Sequence, residues 1–260
     1  MPARPSKGDV ARQFGGVAAA YATSRAHAGG SDLETLVAML DLRADMDVLD
    51  VATGPGHTAF AVAPAVRSVI ATDLAEGMIA QACSLAAERG IANVGFQVAD
   101  AENLPFPDAI FDVVTCRIAA HHFLEPGRAV AEMARVLRPG GQLAVEDNFV
   151  PCDPDLDVFL NTLERLRDPV HVRAMNLDEW MGMLDAAGLA VEEARFDRKT
   201  HDVEGWLART GIDEAARERT RAHLRSASDR ARNHYRIVTG EGGPESYTDD
   251  KFVVRAIRQA

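Results

Sequence analysis

The 260-residue sequence predicts an α/β protein with a doubly wound, mostly parallel sheet of seven strands and helices on both faces. Between residues 31 and 149, short apolar runs alternate with segments of helical spacing. The apolar runs show little polar alternation, as expected of strands covered on both sides. A glycine-containing turn joins the first strand to the next helix, where sheets of this kind bind ligands.

The elements follow in order along the chain. Ser31 and Glu34 form a capping-box pattern that begins a helix extending through Leu40. Five strands are then predicted over residues 46–52, 67–73, 94–99, 111–116 and 142–149. Helices are predicted between them over residues 57–64, 75–89 and 127–138, the last ended by the Arg-Pro-Gly-Gly run.

Helical patterns dominate after Pro151. Only residues 189–196 and 251–258 have strand character there, and they predict an antiparallel pair at the edge of the sheet. Near the other terminus, residues 8–30 carry apolar side chains at helical spacing. They form either a lid over a bound ligand or a helix packed on the sheet.

Composition and charge restrict the possible partners. With 47% hydrophobic residues the chain can bury a substantial core, and it has neither a membrane-spanning apolar run nor a signal-peptide pattern. We therefore expect a cytoplasmic protein without membrane insertion. A net charge of −11 disfavours nucleic acid and is compatible with a small-molecule substrate. The widely spaced Cys83, Cys116 and Cys152 give no metal-site pattern, so no metal is expected.

The turn after the first strand carries a specific glycine pattern. Residues 54–59, Gly-Pro-Gly-His-Thr-Ala, match G-x-G-x-x-[GA], so a dinucleotide-binding loop is one hypothesis. A Walker A loop is excluded, because the Lys-Ser/Thr pair is missing. Pro55 removes one backbone N–H donor for a pyrophosphate. The turn therefore favours an uncharged or cationic group.

Three aspartates end the first three predicted strands: Asp50, Asp73 and Asp100. The carboxyl ends of parallel strands meet at one edge of the sheet, so these side chains are expected to line one crevice. Asp50 is costly to bury unless a cation or hydrogen-bond donors meet it, which suits an ammonium group. Asp73 follows Gly54 by 19 residues, where a carboxylate can accept both ribose hydroxyls. A helix cap or a turn is the alternative role for each aspartate taken alone.

Four ordered segments resemble the motifs of class I S-adenosylmethionine-dependent methyltransferases, particularly the group of the ubiquinone and menaquinone C-methyltransferases. The segments are VLDVATGPGHTA, ATDLAEGMIAQA, VADAENLPFPDAIFDVVTCRIAAHHF and EMARVLRPGGQLAVEDN. The likeness extends over roughly residues 9 to 150. It implies the Rossmann-like methyltransferase fold, S-adenosylmethionine as cofactor and S-adenosylhomocysteine as product.

The resemblance also assigns residues to the parts of this cofactor. It implies that the methionine part meets Asp50, Ala52, Thr53, Gly54 and Gly56 and that the ribose meets Asp73. Leu74 and Met78 would flank the adenine, Asp100, Ala101 and Glu102 would reach its edge, and Arg117 and Ile118 would border the sulfonium. Many relatives have glycine in place of Ala52, and alanine fits there without strain only if its φ is negative.

The resemblance further implies one methyltransferase domain over residues 1–260. Within it, residues 151–187 and 202–245 would form helical insertions that cap the substrate side.

His121 and His122 are the candidate catalytic residues. They follow the fourth predicted strand, where a substrate pocket would open beside the methyl donor. A histidine with a pKa near neutrality can deprotonate a hydroxyl or an activated carbon, and a structural turn is the alternative. The substrate candidates are Tyr21, His122, Asp147, His171 and Arg173. His171 and Arg173 suit an acidic acceptor or a surface salt-bridge cluster.

These observations predict methyl transfer to a small, hydrophobic or aromatic acceptor at carbon or oxygen. Two alternatives stay open, an NAD(P)-dependent oxidoreductase and a non-catalytic cofactor-binding module.

Overall fold

The structure, a computed structural model, describes residues 4–22 and 29–260. The strands are β1 (Asp47–Val51), β2 (Ser68–Asp73), β3 (Val94–Val98), β4 (Phe111–Arg117), β5 (Leu137–Phe149), β6 (Leu189–Asp202), β7 (Val238–Gly240) and β8 (Gly243–Arg258). The helices are α1 (Lys7–Ala22), α2 (Ser31–Ala38), α3 (His57–Val62), α4 (Glu76–Arg89), α5 (Pro126–Val136), α6 (Pro154–Arg167), α7 (Leu177–Ala186), α8 (Val203–Ala208), α9 (Glu214–Arg225) and α10 (Asp229–His234).

One mixed sheet holds all the strands of the described residues. Its order is β3-β2-β1-β4-β5-β8-β6, and the short β7 pairs with β8. The first five strands are parallel, whereas β8 runs antiparallel to both of its neighbours, β5 and β6. This arrangement confirms the predicted doubly wound, mostly parallel α/β fold, with eight strands in place of seven.

The end of the sheet confirms the predicted antiparallel edge pair, which β6 and β8 form. β8 lies inside the sheet between β5 and β6, and its residues are almost continuously buried. β6 is the edge strand, and most of its residues are exposed. An interior strand is covered on both faces and paired on both sides, which explains why the more apolar of the two late strands takes that position.

The Arg-Pro-Gly-Gly run differs from its prediction as the end of a helix. α5 ends at Val136, and β5 begins at Leu137, so the run belongs to the strand. A Cβ atom on Gly141 would lie 2.8 Å from the carbonyl oxygen of Arg138 and 3.0 Å from that of Asp112. Glycine is therefore required for the backbone to pass at this point.

Apolar clusters cover both faces of the sheet, and a further cluster lies beside it. The last one joins α6, α8, α10 and β8 around Leu160, Trp206, Tyr235 and Tyr247. Most helices of the segments predicted to be insertions thus pack on the first half of β8 and on one another, whereas α7 packs in a cluster on the sheet through Trp180 and Leu184. None of the described helices is both long enough and apolar enough to cross a bilayer.

α1 packs closely on α4. An added Cβ on Gly77 of α4 would lie 2.9 Å from the Cα atom of Gly15 in α1, so two glycines allow the backbones to approach. Of the segment 8–30 proposed as a lid, residues 23–28 lie outside the described residues.

Candidate active site

Asp50 organises the turn that follows β1. The side chain is 1% exposed, and its two carboxylate oxygens accept hydrogen bonds from the hydroxyls of Thr115 at 2.6 Å and Thr53 at 2.5 Å. Burial raises the pKa of Asp50 to about 6, and the two hydroxyls oppose that shift. The carboxylate therefore ties β1, β4 and the glycine turn together.

Asp73 holds the same turn from the end of β2. One carboxylate oxygen accepts a hydrogen bond from the backbone N–H of Gly54 and the other from that of Ala75, each at 2.9 Å. Burial raises the pKa of Asp73 despite these hydrogen bonds. Gly54 has a φ of +54°, and apart from its two neighbours in the chain no described residue lies within 4 Å of where its Cβ would be. The turn is therefore open on the side that faces the crevice.

Two other residues near the crevice have left-handed backbone conformations. Ala52 has a φ of +53°, the sign at which alanine is strained. Ile118 also has a φ of +53°, which is rare for a β-branched residue, and its N–H donates to the Glu146 carbonyl at 2.8 Å. Strain of this kind is concentrated at functional sites.

A cavity, here called the strand-end cavity, opens at the carboxyl ends of β1 to β4. Twelve of the thirteen predicted cofactor residues line it: Asp50, Ala52, Thr53, Gly54, Asp73, Leu74, Met78, Asp100, Ala101, Glu102, Arg117 and Ile118. Gly56 is not among its lining residues. It precedes α3 with a φ of +94°, and a Cβ there would lie 2.6 Å from the ring of Phe60.

α1 lies across the mouth of the strand-end cavity. Lys7 forms ion pairs with Asp100 at 2.5 Å and Glu102 at 2.6 Å. Further along the helix, the ring of Phe14 packs edge-on against His122 with centroids 4.8 Å apart. Sequence reasoning did not find Lys7, because its only signal is a contact with residues more than 90 positions away.

Arg117 closes one wall of the strand-end cavity. Its guanidinium donates to Asp32 at 2.7 Å and to the hydroxyl of Thr58 at 3.1 Å, and the side chain is 6% exposed. The ion pair joins β4 to α2. The carboxylate of Asp32 thereby offsets a positive charge beside the cavity.

A second cavity, here called the polar chamber, adjoins the first. Phe14, Tyr21, Ile118 and His122 line both. The remaining walls are largely charged or polar and consist of His121, Asn148, Glu164, Arg167, Asp168, Lys199, His201, Trp206, Arg209, Asp249 and Lys251. Most of these come from α6, α8, β6 and β8, so the late part of the chain builds this chamber.

His121 lines the polar chamber and is held by Asp147. Its Nδ1 atom lies 2.6 Å from one carboxylate oxygen of Asp147, and its backbone N–H donates to the other at 3.1 Å. Burial alone would lower the pKa of His121, but the charge and hydrogen bond of Asp147 outweigh burial and raise it. The contact through Nδ1 leaves Nε2 to exchange a proton.

His122 stands between the two cavities in a different state. Its Nδ1 donates to the Val170 carbonyl at 3.1 Å. Burial, followed by the charge of His121, lowers the pKa of His122 to about 4. His122 is therefore neutral at physiological pH.

The other substrate candidates differ in whether they line the cavities. Tyr21 is among the residues that line both cavities. Asp147 is fully buried behind His121, and His171 is also buried, 2.9 Å from the side-chain oxygen of Asn161. Arg173 pairs with Asp157 and Glu179 and lies outside both linings. Arg173 thus forms a salt-bridge cluster, which was the alternative to contact with an acidic acceptor.

The strand-end cavity contains groups suited to an adenosyl amino acid. Asp73 and the backbone of the glycine turn offer acceptors and donors for hydroxyl, amine and carboxylate groups. Leu74 and Met78 add apolar surface for a base. The acidic groups suit a cation better than a pyrophosphate.

Comparisons with known proteins indicate a methyltransferase. The methyltransferase domain family matches residues 49–145. An uncharacterized methyltransferase, YcgJ of Bacillus subtilis, is 39% identical over 240 residues, which cover 92% of this chain and 95% of that protein. Its crystal structure superposes with a TM-score of 0.86 at 39% identity, covering 88% of this chain and 98% of that one.

Two further relatives are named for particular acceptors. The 27-O-demethylrifamycin SV methyltransferase of Amycolatopsis mediterranei is 33% identical, and the matched region covers 75% of this chain and 72% of that protein. The demethylmenaquinone methyltransferase of Thermus thermophilus is 40% identical over a region that covers 45% of this chain and 54% of that protein. The chain belongs to the class I S-adenosylmethionine-dependent methyltransferases, and its cofactor is S-adenosylmethionine. This finding decides against the oxidoreductase and the non-catalytic module.

Proposed function

We propose that the protein methylates a hydroxyl or an activated carbon of a small molecule bound in the polar chamber, with His121 as general base. The observation that carries the proposal is the buried His121–Asp147 pair, whose histidine lines a chamber that shares four lining residues with the strand-end cavity. A net charge of −11 supports a small molecule over a nucleic acid as substrate.

The proposed cofactor contacts are those of the residues that line the strand-end cavity. Asp73 would bind the ribose hydroxyls, the glycine turn the methionine part, and Leu74 with Met78 the adenine. When bound, S-adenosylmethionine supplies an electrophilic methyl group. The chain itself would contribute orientation and exclusion of water, since α1 covers the cavity mouth.

His121 would take the proton from the acceptor. Its Nδ1 contact with Asp147 fixes the ring and leaves Nε2 as the accepting atom. The Asp147 carboxylate then stabilises the imidazolium that forms. His122 is neutral and packs against both His121 and Phe14, so we assign it to shaping the passage between the cavities.

The acceptor would combine an aromatic or apolar body with polar substituents. Phe14, Tyr21 and Trp206 present rings to the polar chamber. Flat ring systems pack well against such side chains. The many charged residues of the chamber favour an acceptor that also carries polar groups, which refines the hydrophobic acceptor predicted from the sequence.

The test is methyl transfer from labelled S-adenosylmethionine to metabolite extracts, followed by kinetics on the labelled product. His121→Gln should lower kcat by about 10²–10⁴-fold, the usual contribution of a general base, with unchanged affinity for S-adenosylhomocysteine. His223→Gln, on α9 outside both cavity linings, is the matched control and should keep its activity. Full turnover by His121→Gln would remove the proposed base.

The pH dependence gives a second readout of the same pair. A general base must be unprotonated, so the rate should fall as the pH drops through the pKa of His121. Asp147→Asn removes the charge that raises this pKa, so the acidic limb should move to lower pH. A limb that does not move in Asp147→Asn would assign the titration to another group.

A further inference from the structure

Among the described residues, two cations of the polar chamber, Arg209 and Lys199, lack an acidic partner, whereas the other two have one. Arg167 is paired with Glu164 at 2.9 Å, and Lys251 lies 4.0 Å from Asp249. Across residues 4–22 and 29–260, by contrast, no carboxylate oxygen lies within 4 Å of the charged nitrogens of Arg209 or Lys199. Both side chains line the chamber and are only partly exposed. Cations in such a position are costly unless an anion joins them.

Arg209 is held in place by a chain of hydrogen bonds. Its Nη2 lies 3.3 Å from Nδ1 of His201, whose Nε2 lies 3.0 Å from a carboxylate oxygen of Asp249. Because an arginine can only donate, this arrangement has His201 accepting at Nδ1 and donating from Nε2. The chain orients one Arg209 nitrogen, and among the described residues the guanidinium makes no other hydrogen bond.

Lys199 lies on the same wall. It is two residues before His201 on β6, so both side chains point to the same face of the sheet. Burial, followed by the charge of Lys251, lowers the pKa of Lys199, and burial, followed by the charge of Arg167, lowers that of Arg209. Burial, with a neighbouring cation, thus disfavours the charged form of each group and outweighs the acidic groups nearby, which are Asp32, Glu146 and Asp249 for Lys199 and Glu164 for Arg209.

We propose that Arg209 and Lys199 bind a carboxylate of the methyl acceptor and so determine the acceptor's class, an inference that rests on the proposed function. Histidines aside, the chamber walls carry four cations, Arg167, Lys199, Arg209 and Lys251, and three carboxylates, Glu164, Asp168 and Asp249. The excess of one positive charge matches a monoanionic carboxylate better than a phosphate dianion. An arginine also matches the two oxygens of a carboxylate.

The carboxylate would anchor the acceptor and would not itself be methylated. Neither Arg209 nor Lys199 lines the strand-end cavity, whereas Tyr21, Ile118 and His122 line both cavities. The acceptor would therefore place its carboxylate against β6 and α8 and its reacting atom toward Ile118. The methylated product keeps its negative charge.

The binding test uses fluorine NMR with 4-fluorobenzoate on protein saturated with S-adenosylhomocysteine. Arg209→Gln and Lys199→Gln should each weaken 4-fluorobenzoate binding about tenfold or more, as expected for hydrogen bonds to a charged group. Arg219→Gln, at an exposed position of α9, should bind like the unaltered protein. The neutral 4-fluorobenzamide should not bind, and inorganic phosphate should compete only weakly.

Several results would overturn this subsite. They are a 4-fluorobenzoate affinity in both variants that equals that of the unaltered protein, binding of the amide as tight as that of 4-fluorobenzoate, binding of phosphate tighter than that of 4-fluorobenzoate, or no binding of 4-fluorobenzoate. Titration with S-adenosylhomocysteine separates the two proposals. If it binds and 4-fluorobenzoate does not, only the carboxylate site fails; if S-adenosylhomocysteine itself does not bind, the proposed function fails.

Turnover gives an independent test. The labelled product from extracts should be retained on an anion exchanger, and Arg209→Gln should raise KM for the acceptor far more than it lowers kcat. The opposite pattern is expected of His121→Gln. A labelled product that is neutral would contradict the proposal.

Discussion

Ala52 shows how one methyl group affects the glycine turn. Its backbone is locked at a φ of +53° while the next residue, Thr53, donates its N–H to the Thr72 carbonyl at 2.8 Å. A left-handed conformation costs an alanine about 1–2 kcal/mol, and glycine adopts it without that penalty. The strain is local and comes from the conformation of the turn.

Ala52→Gly should therefore stabilise the protein by up to about 1 kcal/mol, after the larger conformational entropy of unfolded glycine is subtracted. Urea denaturation with an unchanged m-value is the measurement. Ala59→Gly, in the helical backbone of α3, is the control and should destabilise by about 1 kcal/mol or more. A loss of stability in Ala52→Gly would show that its methyl packing outweighs the strain.

Glu146 makes stability depend on pH. It is fully buried, neither carboxylate oxygen has a hydrogen-bond partner in the part of the chain that the structure describes, and burial raises its pKa to about 7. The unfolded chain releases this proton near pH 4.5, the ordinary value, whereas the folded chain keeps it up to about pH 7. Deprotonation therefore favours unfolding, and this group's contribution is lost as the pH rises through that window.

Glu146→Gln should remove this part of the pH dependence. Between pH 5 and 8 the free energy of unfolding of the unaltered protein should fall relative to that of the variant by up to about 3 kcal/mol. Parallel stability curves for the two proteins would show that Lys251, 3.9 Å away, keeps Glu146 ionised in the folded state.

At the scale of elements, the contact between α1 and α4 decides whether the strand-end cavity is covered. Gly77→Ala would place a methyl group 2.9 Å from Gly15, so α1 must move. We expect a destabilisation of about 1–3 kcal/mol, faster hydrogen exchange in α1 and weaker binding of S-adenosylhomocysteine.

Gly15→Ala is the matched control for that contact. Apart from its own helix, no described residue lies within 4 Å of where its Cβ would be, and alanine favours the helix. Its binding and exchange should match or exceed those of the unaltered protein. If both variants behave alike, the close approach of the two helices is not what covers the cavity.

Element positions also show where local patterns are sufficient. The runs that predict β1, β2, β4 and β5 are apolar because those strands are largely covered on both faces, a condition that the chain reveals locally. β3, at the edge of the sheet, is only partly buried, which differs from the prediction of a strand covered on both sides. The interior position of β8 depends instead on pairing with β5, about a hundred residues earlier. No local pattern contains that partner.

For the whole molecule, ligand binding should appear as global stability. With S-adenosylhomocysteine at about 100 times its Kd, the free energy of unfolding should rise by about 2.7 kcal/mol, and NAD should give no such rise. Asp73→Ala should weaken binding by about 1.5–3 kcal/mol and so lose most of this stabilisation at the same concentration. Thermal unfolding with and without each ligand is the measurement, and an undiminished rise in Asp73→Ala would remove its assignment to the ribose.

The sequence by itself determined the sheet up to β5, the glycine turn and the acids at the strand ends. Twelve of the thirteen residues predicted to meet the cofactor line one cavity. The sequence could do so because strand ends and turns are local, and parallel strands bring their carboxyl ends together whatever follows. Only the tertiary structure decided that Lys7 meets Asp100, that Asp147 orients His121 and that Arg209 and Lys199 share a chamber. These groups are brought together by packing between distant segments, and the spacing of residues along a chain carries no record of such contacts.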